Sequence, residues 1–95
     1  MEPRISVRHE TVSEGTKEHI AESCSKLEKF YGGIIDCEVI IDKNKQGFMA
    51  EFIVKVPQQT LTAKGEGENL YKAVADAESK VETQLKKYHD KQVAH

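Results

Sequence analysis

The residues best suited to chemistry are lysines in the last third of the chain. An apolar stripe with helical spacing runs from Leu70 to Tyr88, and successive residues of a helix turn by about 100°. Charges flank this stripe unevenly: one side carries Lys80, Lys87 and Lys91, and the other carries Glu78, Glu82 and His89. Because an ammonium group is a compact point charge that suits phosphate, this pattern predicts a phosphate-rich partner.

The basic character is local, because the 95-residue chain has a net charge of −2. Residues 80–95 reverse this sign, with Lys80, Lys86, Lys87 and Lys91 against Glu82 and Asp90. Arginine, which suits the reading of base edges, occurs only as Arg4 and Arg8. With few surface aromatic residues expected to stack on bases, we predict a structured RNA that is recognised through its backbone and shape.

A smaller basic edge is predicted on the first helix. Lys26 and His19 lie on one side of its apolar stripe, and Lys29 lies nearby on the solvent side. The glutamates across the helix or on its other side are Glu14, Glu18 and Glu28. Two such helices packed side by side could turn their basic edges toward one groove. The alternative, which the sequence leaves open, is that these lysines only provide helix propensity and solubility.

The sequence gives little support for an enzyme. Gly65-x-Gly67 lacks the later glycine and the lysine of a phosphate-binding loop. The histidines are scattered, with no cysteine or carboxylate at ligand spacing. Cys24 and Cys37 fall on core-facing positions, which predicts small buried side chains rather than a nucleophile or a disulfide framework. We therefore predict no catalytic residue, no metal and no cofactor.

The composition is that of an ordinary globular protein, and we expect one domain over residues 1–95. Hydrophobic residues make up 38% and charged residues 32% of the chain. No apolar run approaches the roughly 20 residues of a membrane span. The N-terminus lacks the basic and apolar regions of a signal peptide, so the expected location is the cytoplasm.

Apolar periodicity predicts two helices. The first begins after Ser13, whose hydroxyl can cap the first turn, and ends at Gly32-Gly33. Its apolar stripe consists of Ile20, Cys24, Leu27 and Tyr31, widened by Phe30. The second helix is predicted from about Asn69 to about Lys91, and the tail 92–95 is expected to fray.

Alternating apolar residues predict four strands. They cover residues 4–9, 35–41 and 48–56 and a short segment through Leu61 and Ala63, with a hairpin turn over 42–47. The element order is therefore β-α-β-β-β-α. This predicts an α+β fold in which a four-stranded sheet has two helices packed on one face.

Five short motifs, in matching order over nearly the whole chain, resemble the ribosome hibernation factor family. They are Lys26-Leu27-Glu28-Lys29-Phe30, then Gln46-Gly47-Phe48-Met49-Ala50, then Ala63-x-Gly65 leading to Asn69-Leu70-Tyr71-x-Ala73-Val74, then Lys80-x-x-x-Gln84-Leu85-x-Lys87, and Asp90-Lys91. The family includes the short hibernation-promoting factor and the ribosome-associated inhibitor also called protein Y. Each motif is modest alone, and together they are specific.

The resemblance implies a fold like a double-stranded-RNA-binding domain with an added first strand, in a cytoplasmic protein of stress or stationary phase. Such proteins bind the small ribosomal subunit in the channel of mRNA and the A- and P-site tRNAs, and they inhibit translation reversibly without catalysis. By position, the residues implied to bind ribosomal RNA are Lys26, Lys29, Lys80, Lys87 and Lys91, with Lys86 and Lys64 as secondary candidates.

Two positions depart from the family pattern. Thr83 stands where an arginine usually precedes the Gln-Leu pair, which weakens a phosphate contact that Lys86 or Lys80 could replace. Ala75 stands at a position that is commonly acidic, with Asp76 next to it. The chain ends where longer members continue into a second domain or an acidic tail, so it resembles a short member. Whether it promotes ribosome dimers with a separate ribosome modulation factor, or only blocks single ribosomes, is left open.

Two alternative functions compete with this interpretation. A protein-binding regulator, such as a transcription-factor modulator, would need an exposed apolar patch, for which the outer sheet face offers Met49, Ile53 and Ile40. A free double-stranded-RNA binder would share the fold and bind simple duplexes as well as ribosomes. Tyr71 and Tyr88 are expected to pack at the sheet–helix boundary rather than to stack on nucleotides.

Overall fold

The computed structural model describes residues 4–7 and 13–93, with side chains described from 13 to 90, and has the element order β-α-β-β-β-α. The elements are β1 (Arg4–Val7), α1 (Glu14–Phe30), β2 (Asp36–Asn44), β3 (Gly47–Val56), β4 (Gln59–Gly67) and α2 (Leu70–Val93). Among these residues, neither helix has an apolar segment long enough to cross a membrane.

The sheet is a meander of β2, β3 and β4, joined by two tight hairpins and paired antiparallel throughout. The short β1 adds beside β2 in parallel, so that the spatial order follows the chain, β1-β2-β3-β4. The first hairpin turns at Lys45 and Gln46, inside the predicted turn. The second turns at Pro57 and Gln58, where Gln58 has a φ of 68°. The predicted α+β architecture, with two helices and an antiparallel sheet, is confirmed.

One face of the sheet is covered by both helices, and the core lies between the two layers. On the strands, buried residues alternate with exposed or half-buried ones, as in a sheet with one wet face. The fully buried side chains from strands and helices include Phe52, Ile20, Leu27, Ile41, Leu85, Val39, Val54, Val74 and Val81. Cys24 and Cys37 are also in this core, which confirms them as small buried residues.

Local structure defines the start of both helices and the end of α1. The Oγ of Ser13 accepts a hydrogen bond from the backbone N–H of Thr16, as predicted from sequence. Asn69 has the same role for α2, because its Oδ1 accepts from the N–H of Lys72. After α1, Gly33 has a φ of +92°, a left-handed conformation that suits glycine.

The ends of some elements differ from the prediction. β4 extends to Gly67 rather than covering a short segment, because its backbone pairs with β3 as far as Phe48. α2 continues to Val93, so Gln92 and Val93 belong to the helix and not to a frayed tail. The predicted first strand reaches residue 9, but residues 8–12, like 94–95, lie outside the described part of the chain.

The backbone of α2 lies very close to that of β4 where the two elements cross. A Cβ added to Gly65 would lie 2.2 Å from the backbone N of Ala77 and 2.5 Å from the carbonyl O of Ala73. Backbone atoms cannot move aside as a flexible side chain can. Only glycine at this position lets the helix backbone approach the strand so closely.

We expect Gly65→Ala to destabilise the fold by roughly 1–3 kcal/mol, because α2 would have to lift from β4. Gly32→Ala is the matched control, since an added Cβ there meets nothing within 4 Å. Urea unfolding monitored by circular dichroism measures both. Equal midpoints for the two variants would contradict the close approach at Gly65.

Candidate nucleic-acid interface

One side of α2 lies along the free edge of β4, and its side chains form hydrogen bonds with backbone groups of β4 and of the turn that precedes it. We call the four residues involved the edge stripe: Asp76, Lys80, Gln84 and Tyr88. They are spaced four residues apart, so they follow one another along the same side of the helix. The bonds run from the N–H of Glu66 to Asp76 Oδ2 (3.1 Å), from Lys80 Nζ to the carbonyl of Lys64 (3.1 Å), from Gln84 Nε2 to the carbonyl of Thr62 (2.6 Å) and from Tyr88 Oη to the carbonyl of Pro57 (3.0 Å).

Lys80 is held in place by two partners. Besides the carbonyl of Lys64, its Nζ lies 3.1 Å from Asp76 Oδ2, one turn earlier in the helix. The hydrogen bond from Lys80, followed by that from the N–H of Glu66, lowers the pKa of Asp76. The Lys80 side chain is still 56% exposed, so its position is fixed while part of its charge faces solvent.

Two further predicted residues lie near Lys80. Lys87 is exposed on the same side of α2, where it lines an open depression with Gln84, Tyr88 and Leu61. Lys64 lies on β4 between the buried Ala63 and Gly65, so its side chain points to the outer sheet face at the same edge. Among the described residues, no salt bridge holds Lys64 or Lys87. The structure thus brings together Lys64, Lys80 and Lys87, which we call the β4-side lysines.

Lys72 belongs to the same side of α2 and was missed by sequence reasoning. It is exposed, and its Nζ lies 3.8 Å from Glu68 Oε2. The spacing gives only a partial signal. Residues 80 and 87 are seven apart, close to two helical turns, whereas residue 72 lies eight before residue 80 and is therefore about 80° away around the helix. The position was overlooked because it precedes the part of the chain in which lysines outnumber carboxylates.

The two basic edges, whose convergence on one groove the sequence left open, do not converge in the structure. The open groove between α1 and α2, of about 330 Å³, is lined by Glu22, Glu78 and Glu82 together with Lys26 and His19. The basic edge of α1 therefore faces the acidic edge of α2. Lys26 Nζ lies 4.0 Å from Glu78 Oε2, whose side chain is only 17% exposed. Three carboxylates in one groove repel phosphate, so an RNA backbone would not enter here.

The remaining predicted lysines are spread over the helices. Lys29 near the end of α1 and Lys86 on α2 are both exposed. Neither has a salt-bridge partner among the residues whose side chains are described. Lys91 lies within α2, but its side chain is outside the described part of the chain.

The aromatic residues follow the prediction only in part. Tyr88 is half-buried against the core and bonded to the carbonyl of Pro57, as expected for the sheet–helix boundary. Tyr71 instead lies between the helices: its ring packs edge-on against His19 at 4.9 Å, and its hydroxyl is 3.3 Å from Thr16 Oγ1. Phe30, predicted to widen the apolar stripe of α1, is 64% exposed, because α1 ends there and the chain turns away.

The sheet face opposite the helices carries the candidate apolar patch of the alternative function. Ile40, Met49 and Ile53 are half-buried there rather than fully exposed. Charged or polar residues lie opposite all three, since Ile40 pairs with Glu51, Met49 with Asp42 and Glu66, and Ile53 with Thr62. The patch is therefore interrupted by polar groups rather than continuous.

The fold and these surfaces define a class: a small α+β domain whose candidate site is a set of exposed lysines and not an enclosed cavity. Residues 4–93 match the sequence profile of the family described as Sigma 54 modulation protein / S30EA ribosomal protein. Because this match spans nearly the whole chain, the protein belongs to that family.

Individual relatives agree with this assignment. The chain is 29% identical over 87 residues to "Ribosome-associated factor Y" of Haemophilus influenzae, covering 92% of this chain and 81% of the relative. It is 27% identical over 92 residues to "Ribosome hibernation promoting factor" of Pseudomonas putida, covering 97% and 90%.

Two solved structures share the fold. One is a ribosomal subunit interface protein from Coxiella burnetii, with a TM-score of 0.86 and 26% identity over 94% of this chain and 98% of that one. The other is the protein Y N-terminal domain of Thermus thermophilus, with a TM-score of 0.83. At 20% identity over 93% of this chain and 99% of that one, this second likeness supports the fold alone.

Asp76 gives the edge stripe a predictable dependence on pH. Because its pKa is lowered in the folded protein, its contribution to stability is complete above the ordinary aspartate pKa and is lost as the pH falls through the folded value. We expect the stability advantage of the wild type over Asp76→Asn to be full near neutral pH and to shrink below about pH 4. Thermal unfolding across this range measures it.

Asp90→Asn is the matched control for this experiment. Asp90 is exposed on the same helix but lies outside the edge stripe. A stability difference between the wild type and Asp76→Asn that does not change with pH would show that the carboxylate charge of Asp76 has no part in holding β4.

Proposed function

We propose that this protein is a ribosome hibernation factor: it binds the small ribosomal subunit in the cytoplasm and reversibly inhibits translation under stress or in stationary phase. The observation that carries the proposal is the family match over residues 4–93, together with relatives named for ribosome association and hibernation. An exposed set of lysines suits a binding function, and the proposal assigns the chain no catalytic step.

The proposed partner surface is ribosomal RNA in the channel that mRNA and the A- and P-site tRNAs would occupy. In this proposal the fold works like a double-stranded-RNA-binding domain, which recognises RNA through its shape and backbone. Among the β4-side lysines, Lys64 lies on the outer sheet face, and Lys80 and Lys87 lie on α2 at the same edge of the molecule. Together they could contact successive phosphates. Lys72, Lys29, Lys86 and Lys91 would extend the contact along the helices, while Lys26 would contribute less because Glu78 lies 4.0 Å from it.

The orientation on the RNA follows from the charges. The groove between the helices contains Glu22, Glu78 and Glu82 and would be directed away from phosphate. The β4 side of α2 has one carboxylate in the edge stripe, Asp76, and this group is already engaged by Lys80. RNA would therefore approach from the β4 side rather than between the helices.

Co-sedimentation with vacant bacterial ribosomes tests the proposal. We expect the wild type to travel with the small subunit at low salt and Lys64→Glu/Lys87→Glu to lose roughly tenfold or more in affinity, equivalent to about 1.4 kcal/mol. These two lysines are preferred to Lys80, because a substitution of Lys80 would also disturb the β4 edge. Circular dichroism confirms that the variant is folded.

Lys17→Glu/Lys55→Glu is the matched control, since it changes the net charge by the same amount at exposed positions away from α2. If the wild type stays at the top of the gradient even at low salt, the proposed function is wrong. If both double variants lose binding equally, ribosome binding stands but the assignment of the β4 side is wrong.

The salt dependence of binding counts phosphate contacts. A lysine that neutralises a phosphate releases counterions, so the logarithm of the binding constant decreases linearly with the logarithm of the salt concentration. The magnitude of this slope becomes smaller by about 0.7–0.9 for each phosphate contact that is removed. We expect Lys64→Gln/Lys87→Gln to reduce the slope by roughly 1.5, measured by fluorescence anisotropy of labelled protein on small subunits. An unchanged slope would show that these lysines do not contact phosphate.

The alternative function, a protein-binding regulator that uses the outer sheet face, makes the opposite prediction. Its surface would be Ile40, Met49 and Ile53, which are half-buried and lie among polar residues. Charge reversal of lysines on α2 would then leave partner binding intact, whereas Ile53→Lys would abolish it.

A further inference from the structure

The two cysteines of the chain form a close pair in the core. Cys24 lies on α1 and Cys37 on β2, and their Sγ atoms are 3.0 Å apart, with the Cys37 thiol donating a hydrogen bond to Cys24. Each residue is only 1% exposed. A disulfide bond is about 2.05 Å long, so the two sulfur atoms need to approach by only about 1 Å to become bonded.

The pair is unreactive while α1 rests on the sheet. The hydrogen bond that the thiols share, then burial, and then neighbouring charges including Glu78 raise the pKa of Cys24. The thiolate is the form that attacks a peroxide, so the closed structure contains very little of the reactive species. Burial also excludes an oxidant from both sulfur atoms.

Local opening of α1 gives access to the thiols. The helix is attached to the sheet through one narrow stripe that includes Ile20, Cys24 and Leu27. Among the described residues, its side-chain contacts with α2 include the Lys26–Glu78 pair at 4.0 Å and the contacts of Tyr71 with Thr16 and His19. Elements held by few buried contacts open locally at lower free energy than the whole protein unfolds.

We propose that Cys24 and Cys37 form an oxidation-sensitive latch, in which a hydroperoxide converts the thiol pair to a disulfide that locks α1 onto β2. On opening, one thiolate attacks the peroxide, breaks its O–O bond and becomes a sulfenic acid, releasing hydroxide or alkoxide. On closing, the second thiol attacks the sulfenic sulfur, the S–S bond forms and water leaves. Overall, two thiols and one hydroperoxide give one disulfide, water and the reduced alcohol, or a second water from hydrogen peroxide.

The disulfide would restrict the local opening of α1 and would not change the exposed lysines. A bond between residues 24 and 37 closes a short loop and removes freedom from the unfolded chain and from the opened state. From the stabilisation that a loop of this length provides, we expect the melting temperature to rise on the order of 10 °C. This inference does not depend on the proposed ribosome binding.

Hydrogen peroxide treatment of the purified full chain, followed by alkylation in denaturant and intact mass spectrometry, tests the latch. We expect monomers that have lost two hydrogen masses, that take up no alkylating agent, and that regain both thiols in dithiothreitol. Peptide mapping without reduction should link the segments that contain Cys24 and Cys37. Low urea concentrations that favour local opening should accelerate the reaction.

Cys37→Ala and Cys24→Ala are the matched controls, because each keeps one thiol in the same environment. Each should form no internal crosslink and show no rise in melting temperature after oxidation. The latch is overturned if the oxidised wild type gains oxygen as sulfinic acid, forms disulfide-linked dimers, or keeps both thiols open to alkylation after prolonged treatment. Because the main readout uses the wild type, poor folding of a variant would not obscure the result.

Discussion

The direct contact of α2 with β4 is the constraint on which the rest of the structure depends. Gly65 has no side chain, and this lets the backbone of α2 lie against the strand near Ala73 and Ala77. Because the helix backbone is this close to the strand, side chains of the edge stripe reach the backbone of β4 and form hydrogen bonds with it. The same contact fixes the rotation of α2 about its own axis. It therefore determines on which surface of the protein each charged side chain of α2 lies.

This distribution separates the protein into surfaces of unlike charge. The acidic side of α2 turns toward α1 and meets Lys26, whereas the basic side lies over the β4 edge. A weakly acidic protein can thereby present a positive surface to phosphate without a large net charge. Lys80 contributes to both structure and charge, because its partners fix it and leave half of its side chain in solvent.

Most elements could be predicted because their periodicity is strong, as with the alternating residues of β2 or the stripe through Val81 and Leu85. The full length of β4 could not, since Gly65 and Gly67 add no apolar side chain to the alternation. Whether the basic edges converge could not be predicted either, for a different reason. Which edge of α1 faces α2 depends on where each helix crosses the sheet, and this placement is tertiary information that helical spacing does not contain. The lysine assignments themselves stay predictions.

The edge stripe also bears on how the protein behaves when it is concentrated. A strand at the margin of a sheet exposes backbone groups that another chain can use to extend the sheet, which is a common origin of fibrils and insoluble deposits. In β4, three of these backbone groups, the N–H of Glu66 and the carbonyls of Lys64 and Thr62, are occupied by side chains of α2. That route to self-association is therefore hindered along the β4 edge, even when the protein is concentrated.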